Sequence, residues 1–179
     1  MHEFNELVQR STAFSLSALS DAQQRTADAL QTSAATTLVK TLQMVQLQKA
    51  ISAVGMFSML DAILQFQLQC KDGFKEAGQI LENQGQVSLK ECFSDLQLAV
   101  NVLKHGKGRS YEALVKKAAT LPFKVKLPNE NFFNEGDVFE ISTLVEVDDT
   151  FILLCAEIIH KVSIAVEPDV QLEYALACF

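Results

Sequence analysis

Apolar residues recur every three or four positions through most of this chain, which is the spacing of amphipathic helices. The longest such run covers residues 33–69, with no proline and a single glycine, Gly55. One helix of that length would measure about 55 Å. Two alternatives follow: a break near Gly55, or a helix that extends beyond its bundle and pairs with another copy. Residues 50–64 are apolar nearly all round, which is typical of a helix buried on several sides.

Shorter helical patterns flank this run. Residues 3–31 predict one helix, or two if Ser20 and Asp21 cap a second, and their many Ser, Thr and Gln residues favour a peripheral arm. Residues 74–81 and 110–121 predict two short helices, the second capped by Ser110. Residues 150–166 predict a final helix capped by Asp148 or Asp149.

Residues 88–105 predict the best-delimited helix. Ser88 and Glu91 have the spacing of a capping box, and Gly106 follows where a left-handed cap is expected. One apolar stripe runs along this helix, formed by Leu89, Cys92, Phe93, Leu96, Ala99, Val100 and Leu103.

Residues 122–149 differ, because two prolines and three asparagines predict a loop. Residues 138–147 are rich in β-branched residues and predict a short strand, for which residues 123–126 offer a partner in a two-stranded ribbon. The sequence therefore predicts one all-α domain, a bundle of four or more helices with a loop-rich C-terminal third. Its parts are the arm (1–31), the bundle core (33–121), the loop with short strands (122–149) and the final helix (150–167).

Composition narrows the function classes. The net charge of −7 disfavours non-specific DNA binding, although a local basic group could hold RNA. The four cysteines are scattered singly, without metal-ligand spacing, and no signal peptide is apparent at the first residues. We therefore expect a reducing, cytoplasmic location and neither a metal nor a cofactor. The apolar window at residues 50–60 is too short to span a bilayer, so no membrane insertion is expected.

The candidate chemistry lies at the end of the 88–105 helix. His105 has Asn101 one turn earlier, and Lys104, Lys107, Arg109 and Tyr111 lie close by. An imidazole can transfer a proton near neutral pH, an amide can orient it, and cations can stabilise phosphate charge. The alternative is a surface histidine favoured by the negative end of the helix dipole. The acidic residues Glu146, Asp148 and Asp149 are explained by helix capping.

The segment from Val100 to His105 resembles the signature of HEPN domains, all-α and generally dimeric proteins that include metal-independent ribonucleases of defence and toxin–antitoxin systems. Asn101 matches the polar residue that follows the motif arginine, and His105 matches the motif histidine. Val100 occupies the arginine position, within the apolar stripe, and Arg109 is the available substitute. The resemblance implies either a ribonuclease using His105, with Asn101 and Arg109 assisting, or a catalytically silent member.

The sequence thus favours a non-catalytic binding protein, homodimeric through its long helix or joined to a protein partner. The alternative is a HEPN-like endoribonuclease or nucleotide-binding module, in which Lys104, Lys107 and Tyr111 would contact RNA or a nucleotide. A third option, a membrane-associated helical scaffold, is disfavoured by the acidic net charge.

Overall fold

The structure is a computed structural model that describes residues 2–130 and 143–167. Within these residues the chain forms six α-helices and one short 3₁₀ turn, Ala118–Thr120. The helices are α1 (His2–Leu30), α2 (Thr36–Gln67), α3 (Gly73–Asn83), α4 (Val87–His105), α5 (Arg109–Lys116) and α6 (Asp149–Ala165). The predicted fold class, an all-α bundle with one very long helix, is confirmed.

Helix α2 passes through Gly55 without a break, so the first of the two alternatives for residues 33–69 is wrong. Its 32 residues extend over about 48 Å. One side of the helix faces the core through Leu42, Val45, Ala53, Phe57, Leu60 and Leu64. The opposite side is not covered, since Ile51 remains more than half exposed despite the all-round apolar pattern of residues 50–64.

An aromatic cluster joins the middle of the bundle. Phe57 of α2, Phe74 of α3 and Phe93 of α4 have ring centroids 5.5–6.2 Å apart. Helix α3 comes very close to α2 at Gly73, where a Cβ atom would lie 2.6 Å from the Cβ of Leu64. Only glycine fits at this crossing, which places Phe74 against the other two rings.

Helix α1 is one continuous helix that packs along both α2 and α6. Val8 belongs to the core, and the side-chain amide of Asn5 lies 2.6 Å from Nδ1 of His160 in α6. The residues predicted as an N-terminal arm therefore contact two helices of the bundle.

The helix caps differ in part from the predicted ones. Helix α4 starts at Val87, so Ser88 lies inside its first turn, and its cap residue Gln86 makes no side-chain capping bond. The Ser88–Glu91 capping box is therefore wrong. Ser110 is likewise not a cap, because α5 begins at Arg109. Asp148 does cap α6, accepting a hydrogen bond from the amide of Phe151 at 2.7 Å.

Two backbone segments meet beside the helices. Val125 and Val145 form an isolated antiparallel bridge, in which the amide of Lys126 donates to the carbonyl of Leu144. The two segments are those of the predicted ribbon, although residues 138–142 of its second strand lie outside the described residues. The described part contains this bridge and no strand.

Candidate functional site

The predicted site residues lie at the corner where α4 ends and α5 begins. Gly106 adopts a φ of 72° and its amide donates to the carbonyl of Val102 at 2.8 Å, which ends α4 as predicted. Asn101 and His105 are exposed on α4, as is Arg109 at the start of α5. Lys104 and Lys107 are exposed as well. We call Lys104, His105, Lys107 and Arg109 the basic corner.

Tyr111 belongs to the core rather than to the basic corner. It is buried, and its hydroxyl donates a hydrogen bond to the carbonyl of Lys126 at 2.7 Å. Desolvation raises the pKa of this hydroxyl, and the nearby carboxylate of Glu130 raises it further. Tyr111 thus ties α5 to the segment that carries the antiparallel bridge.

Val100, at the position of the HEPN arginine, is buried in the bundle core. An arginine at this point of α4 would place its charge among apolar side chains, which is costly without a partner. The arginine of the basic corner is Arg109, which lies eight residues after Asn101 on the next helix, and Lys104 and Lys107 are the other exposed cations beside His105.

A second surface of interest is the uncovered side of α2. Its members recur at helical spacing over about 33 Å. We call Met44, Leu47, Ile51, Ser58, Ala62 and Phe66 the α2 outer face. Phe66 is 78% exposed, and between Thr41 and Leu60 the helix carries one charged residue, Lys49, which is buried on another side. The six members of this face are therefore uncharged and all but Ser58 are apolar, with the charged Asp61 directly preceding Ala62 in the helix.

Three other exposed apolar side chains lie among charges, whereas Phe14, 77% exposed on α1, lies in a stretch without charged residues, positions 11–20. Leu153 and Ile164 on α6 share that helix with the exposed pair of Glu157 and Lys161, which lie 2.6 Å apart. Leu7 on α1 lies near Glu6 and Arg10, which also form an exposed ion pair. The α2 outer face differs from both because no charge interrupts it over its central turns.

A groove of about 210 Å³ lies between α1 and α2, with Ile152 of α6 at its wall. We call it the α1–α2 groove. Its polar residues are Ser11, Thr12, Ser15, Ser52 and Lys49, and its apolar residues are Leu16, Leu19, Met56, Met59 and Ile152, with Gly55 between them. Apolar walls with a few polar groups are typical of small-molecule sites.

Lys49 is the charged residue of this groove. Its side chain is only 7% exposed, and its ammonium nitrogen lies 2.7 Å from a carboxylate oxygen of Asp149, which is 53% exposed. The chain pattern contained a signal for it, because Lys49 follows Val45 by four residues and therefore falls on the buried side of α2. Spacing alone places Lys49 in the helix pattern and does not mark it as a functional residue.

The cysteines and histidines of the described residues offer less chemistry. Burial raises the pKa of the Cys155 thiol well above its ordinary value, so the unreactive thiol form prevails there. Burial, together with the nearby Asp95, also raises the pKa of Cys92. Across residues 2–130 and 143–167, no three His, Cys, Asp or Glu side chains are grouped to hold a metal ion.

The fold that positions these surfaces is an all-α helical bundle. In comparisons with known proteins, no family model, no curated protein and no solved structure matches the chain.

Among the described helices, α2 is long and apolar enough to cross a membrane, with 33% of its most apolar window buried. Core helices of globular domains meet the same criterion, so this property does not distinguish the two environments.

Proposed function

We propose that the protein is a non-catalytic interaction protein that forms a homodimer through the α2 outer face. The observation that carries this proposal is the uncharged apolar surface along α2. Exposed apolar patches of this extent, free of charges, are typical of protein–protein contacts. A two-fold dimer brings the same face of both copies together, and such a contact needs no charge complementarity between different surfaces.

The number of apolar side chains on this face sets how tight the dimer can be. Covering a half-exposed Leu, Ile, Met or Phe side chain contributes about 1 kcal/mol. Met44, Leu47, Ile51 and Phe66 from each of two copies therefore contribute roughly 8 kcal/mol, the free energy of a micromolar dimer before the cost of association. Because association itself costs about 4 kcal/mol or more, roughly 4 kcal/mol remains, and we expect a weak dimer with a dissociation constant of about 1 mM.

The test compares two substitutions of equally exposed residues. Ile51 on the α2 outer face and Leu153 on α6 are each 53% exposed. Analytical ultracentrifugation at about 50 µM to 1 mM should show wild-type self-association that Ile51→Asp abolishes and the control Leu153→Asp retains. A wild type that stays monomeric throughout, or equal behaviour of both variants, would contradict the proposal.

A second candidate function is the HEPN-like ribonuclease, or a nucleotide-binding module of the same corner. The observation that favours it is the exposure of the basic corner, whose four side chains form no ion pair within the described residues. Free cations are available to phosphate groups even on an acidic protein. His105 would transfer the proton, with Asn101 and Arg109 assisting.

Cleavage of a fluorescent single-stranded RNA in EDTA tests this candidate. His105→Ala should lower the cleavage rate at least 100-fold, the scale of general acid–base catalysis, while His2→Ala leaves it unchanged. No cleavage by the wild type, or full cleavage by His105→Ala, would remove the ribonuclease from consideration.

A further inference from the structure

Gly55 has no structural role that the bundle itself explains. Glycine in a helix interior destabilises it by about 1 kcal/mol relative to alanine. The helix is continuous at Gly55, where φ is not positive, and an added Cβ atom would meet no atom within 4 Å. The space beside Gly55 is the α1–α2 groove. A Cβ atom there would narrow the groove without meeting any neighbour.

The two partners of the ion pair at the groove differ in their exposure to solvent. The ammonium group of Lys49 is almost fully buried, whereas the carboxylate of its partner Asp149 is half exposed and screened by water. Buried charges act through a lower effective dielectric constant than exposed ones. Lys49 lines the groove and Asp149 does not, so the charge that a bound ligand would meet there is the ammonium group, although the ion pair as a whole is neutral.

The hydroxyl groups complete the polar end. Those of Ser11 and Ser52 donate to the backbone carbonyls of Val8 and Gln48 in their own helices. The hydroxyl of Thr12 lies 3.5 Å from the sulfur of Met56. The remaining walls are apolar, contributed by Leu16, Leu19, Met56, Met59 and Ile152.

We propose that the α1–α2 groove binds a small amphipathic carboxylate, with its head group at Lys49 and its hydrocarbon tail along Gly55 and the apolar walls. A volume of 210 Å³ holds about seven water-sized groups. An unbranched acid of about eight carbons has that size. Lys49 supplies the charge complementarity and Gly55 supplies the room.

Octanoate is the probe, and 1-octanol and octylamine are its controls with the same tail and a different head. Isothermal titration calorimetry should give octanoate a dissociation constant below 1 mM and at least tenfold weaker binding of the other two. Lys49→Met should reduce octanoate binding at least tenfold without changing that of octanol. Octylamine binding as tightly as octanoate would overturn the proposal.

Gly55→Leu provides the second test, because a Cβ atom there meets nothing within 4 Å and the rest of a leucine side chain would occupy the groove. Its matched control is Gly78→Leu in α3, where an added Cβ atom also meets nothing within 4 Å. Gly55→Leu should abolish octanoate binding and Gly78→Leu should leave it intact. Unchanged octanoate binding by Gly55→Leu would also refute the proposed position of the tail.

The groove and the dimer are tested independently. The same titrations are repeated in an Ile51→Asp background, since Ile51 does not line the groove. Octanoate binding should persist in this variant whether or not the wild type is a dimer. Loss of binding there would show that the groove alone is not sufficient, contrary to the proposal.

Discussion

Ser163 shows what a single buried polar group contributes to this bundle. It lies in α6 with 1% of its surface exposed, and its hydroxyl has no hydrogen-bond partner. Leaving a buried hydroxyl without a partner costs about 1–3 kcal/mol. The apolar pattern of α6 predicts that this position faces the core, but the sequence contains no signal that the hydroxyl is unpaired.

Ser163→Ala should therefore raise the free energy of unfolding by about 1–2 kcal/mol. Chemical denaturation monitored by circular dichroism measures this change in the free energy of unfolding. Ser17→Ala, at an exposed position of α1, is the control, and should gain no more than about 0.5 kcal/mol from helix propensity. A gain for Ser163→Ala that does not exceed the control would contradict the assignment of an unpaired hydroxyl.

Breaking a partly buried ion pair should instead lower the free energy of unfolding. The carboxylate of Asp95 in α4 is 12% exposed and is paired with the ammonium group of Lys117. Removing one partner of such a pair leaves an uncompensated charge, which costs up to about 3–5 kcal/mol when both groups are buried. Since Lys117 is partly exposed, we expect Lys117→Met to lower stability by about 2 kcal/mol.

The control for this pair is Lys161→Met, which breaks the exposed pair with Glu157. Exposed pairs one helical turn apart contribute about 0.3–0.5 kcal/mol, so this change should be small. Urea denaturation of both variants at one ionic strength provides the comparison. Equal losses would show that the Asp95–Lys117 pair is as solvated as the exposed one.

At the scale of the elements, periodicity predicts the helices well and their first residues poorly. The long helix, α4 and α6 follow from apolar spacing, because the bundle buries one face of each. Ser88 and Ser110 satisfy the sequence rule for a cap, yet α4 and α5 start one residue before them. The starts are set by where packing positions the backbone, which the local pattern does not contain.

The aspartates that cap helices should contribute more to the free energy of unfolding than Ser88, which does not cap one. Asp72 and Asp148 accept hydrogen bonds from the amides of Lys75 and Phe151, at 3.0 and 2.7 Å. Asp72→Ala and Asp148→Ala should each lower the free energy of unfolding by about 1 kcal/mol. Ser88→Ala should change it by less than about 0.5 kcal/mol, because it loses no capping bond. Thermal denaturation of the three variants tests this order. A loss of unfolding free energy for Ser88→Ala equal to that of the two aspartate variants would contradict it.

At the scale of the whole molecule, the sequence predicts the fold class but not the surfaces that the fold leaves uncovered. The apolar pattern of residues 50–64 predicts burial on several sides, and only the arrangement of α1, α3, α4 and α6 determines which side stays open. The same limit applies to Lys49. Its position on the buried side follows from spacing, but its pairing with Asp149 depends on a contact 100 residues away.

Salt separates the two candidate functions of the molecule. Each copy carries a net charge of −7, so two copies repel each other, and screening of this repulsion by salt favours association. The α2 outer face contributes no ionic contact that salt could weaken. We therefore expect the dimer dissociation constant to fall severalfold between 20 mM and 500 mM NaCl, where the screening length shortens from about 20 Å to about 4 Å.

RNA binding at the basic corner should weaken over the same range, since it depends on the release of counterions. Sedimentation measures the dimer and fluorescence anisotropy of labelled RNA measures the second equilibrium. A dimer that dissociates as salt rises would contradict an uncharged interface and would direct attention to ionic contacts elsewhere on the surface.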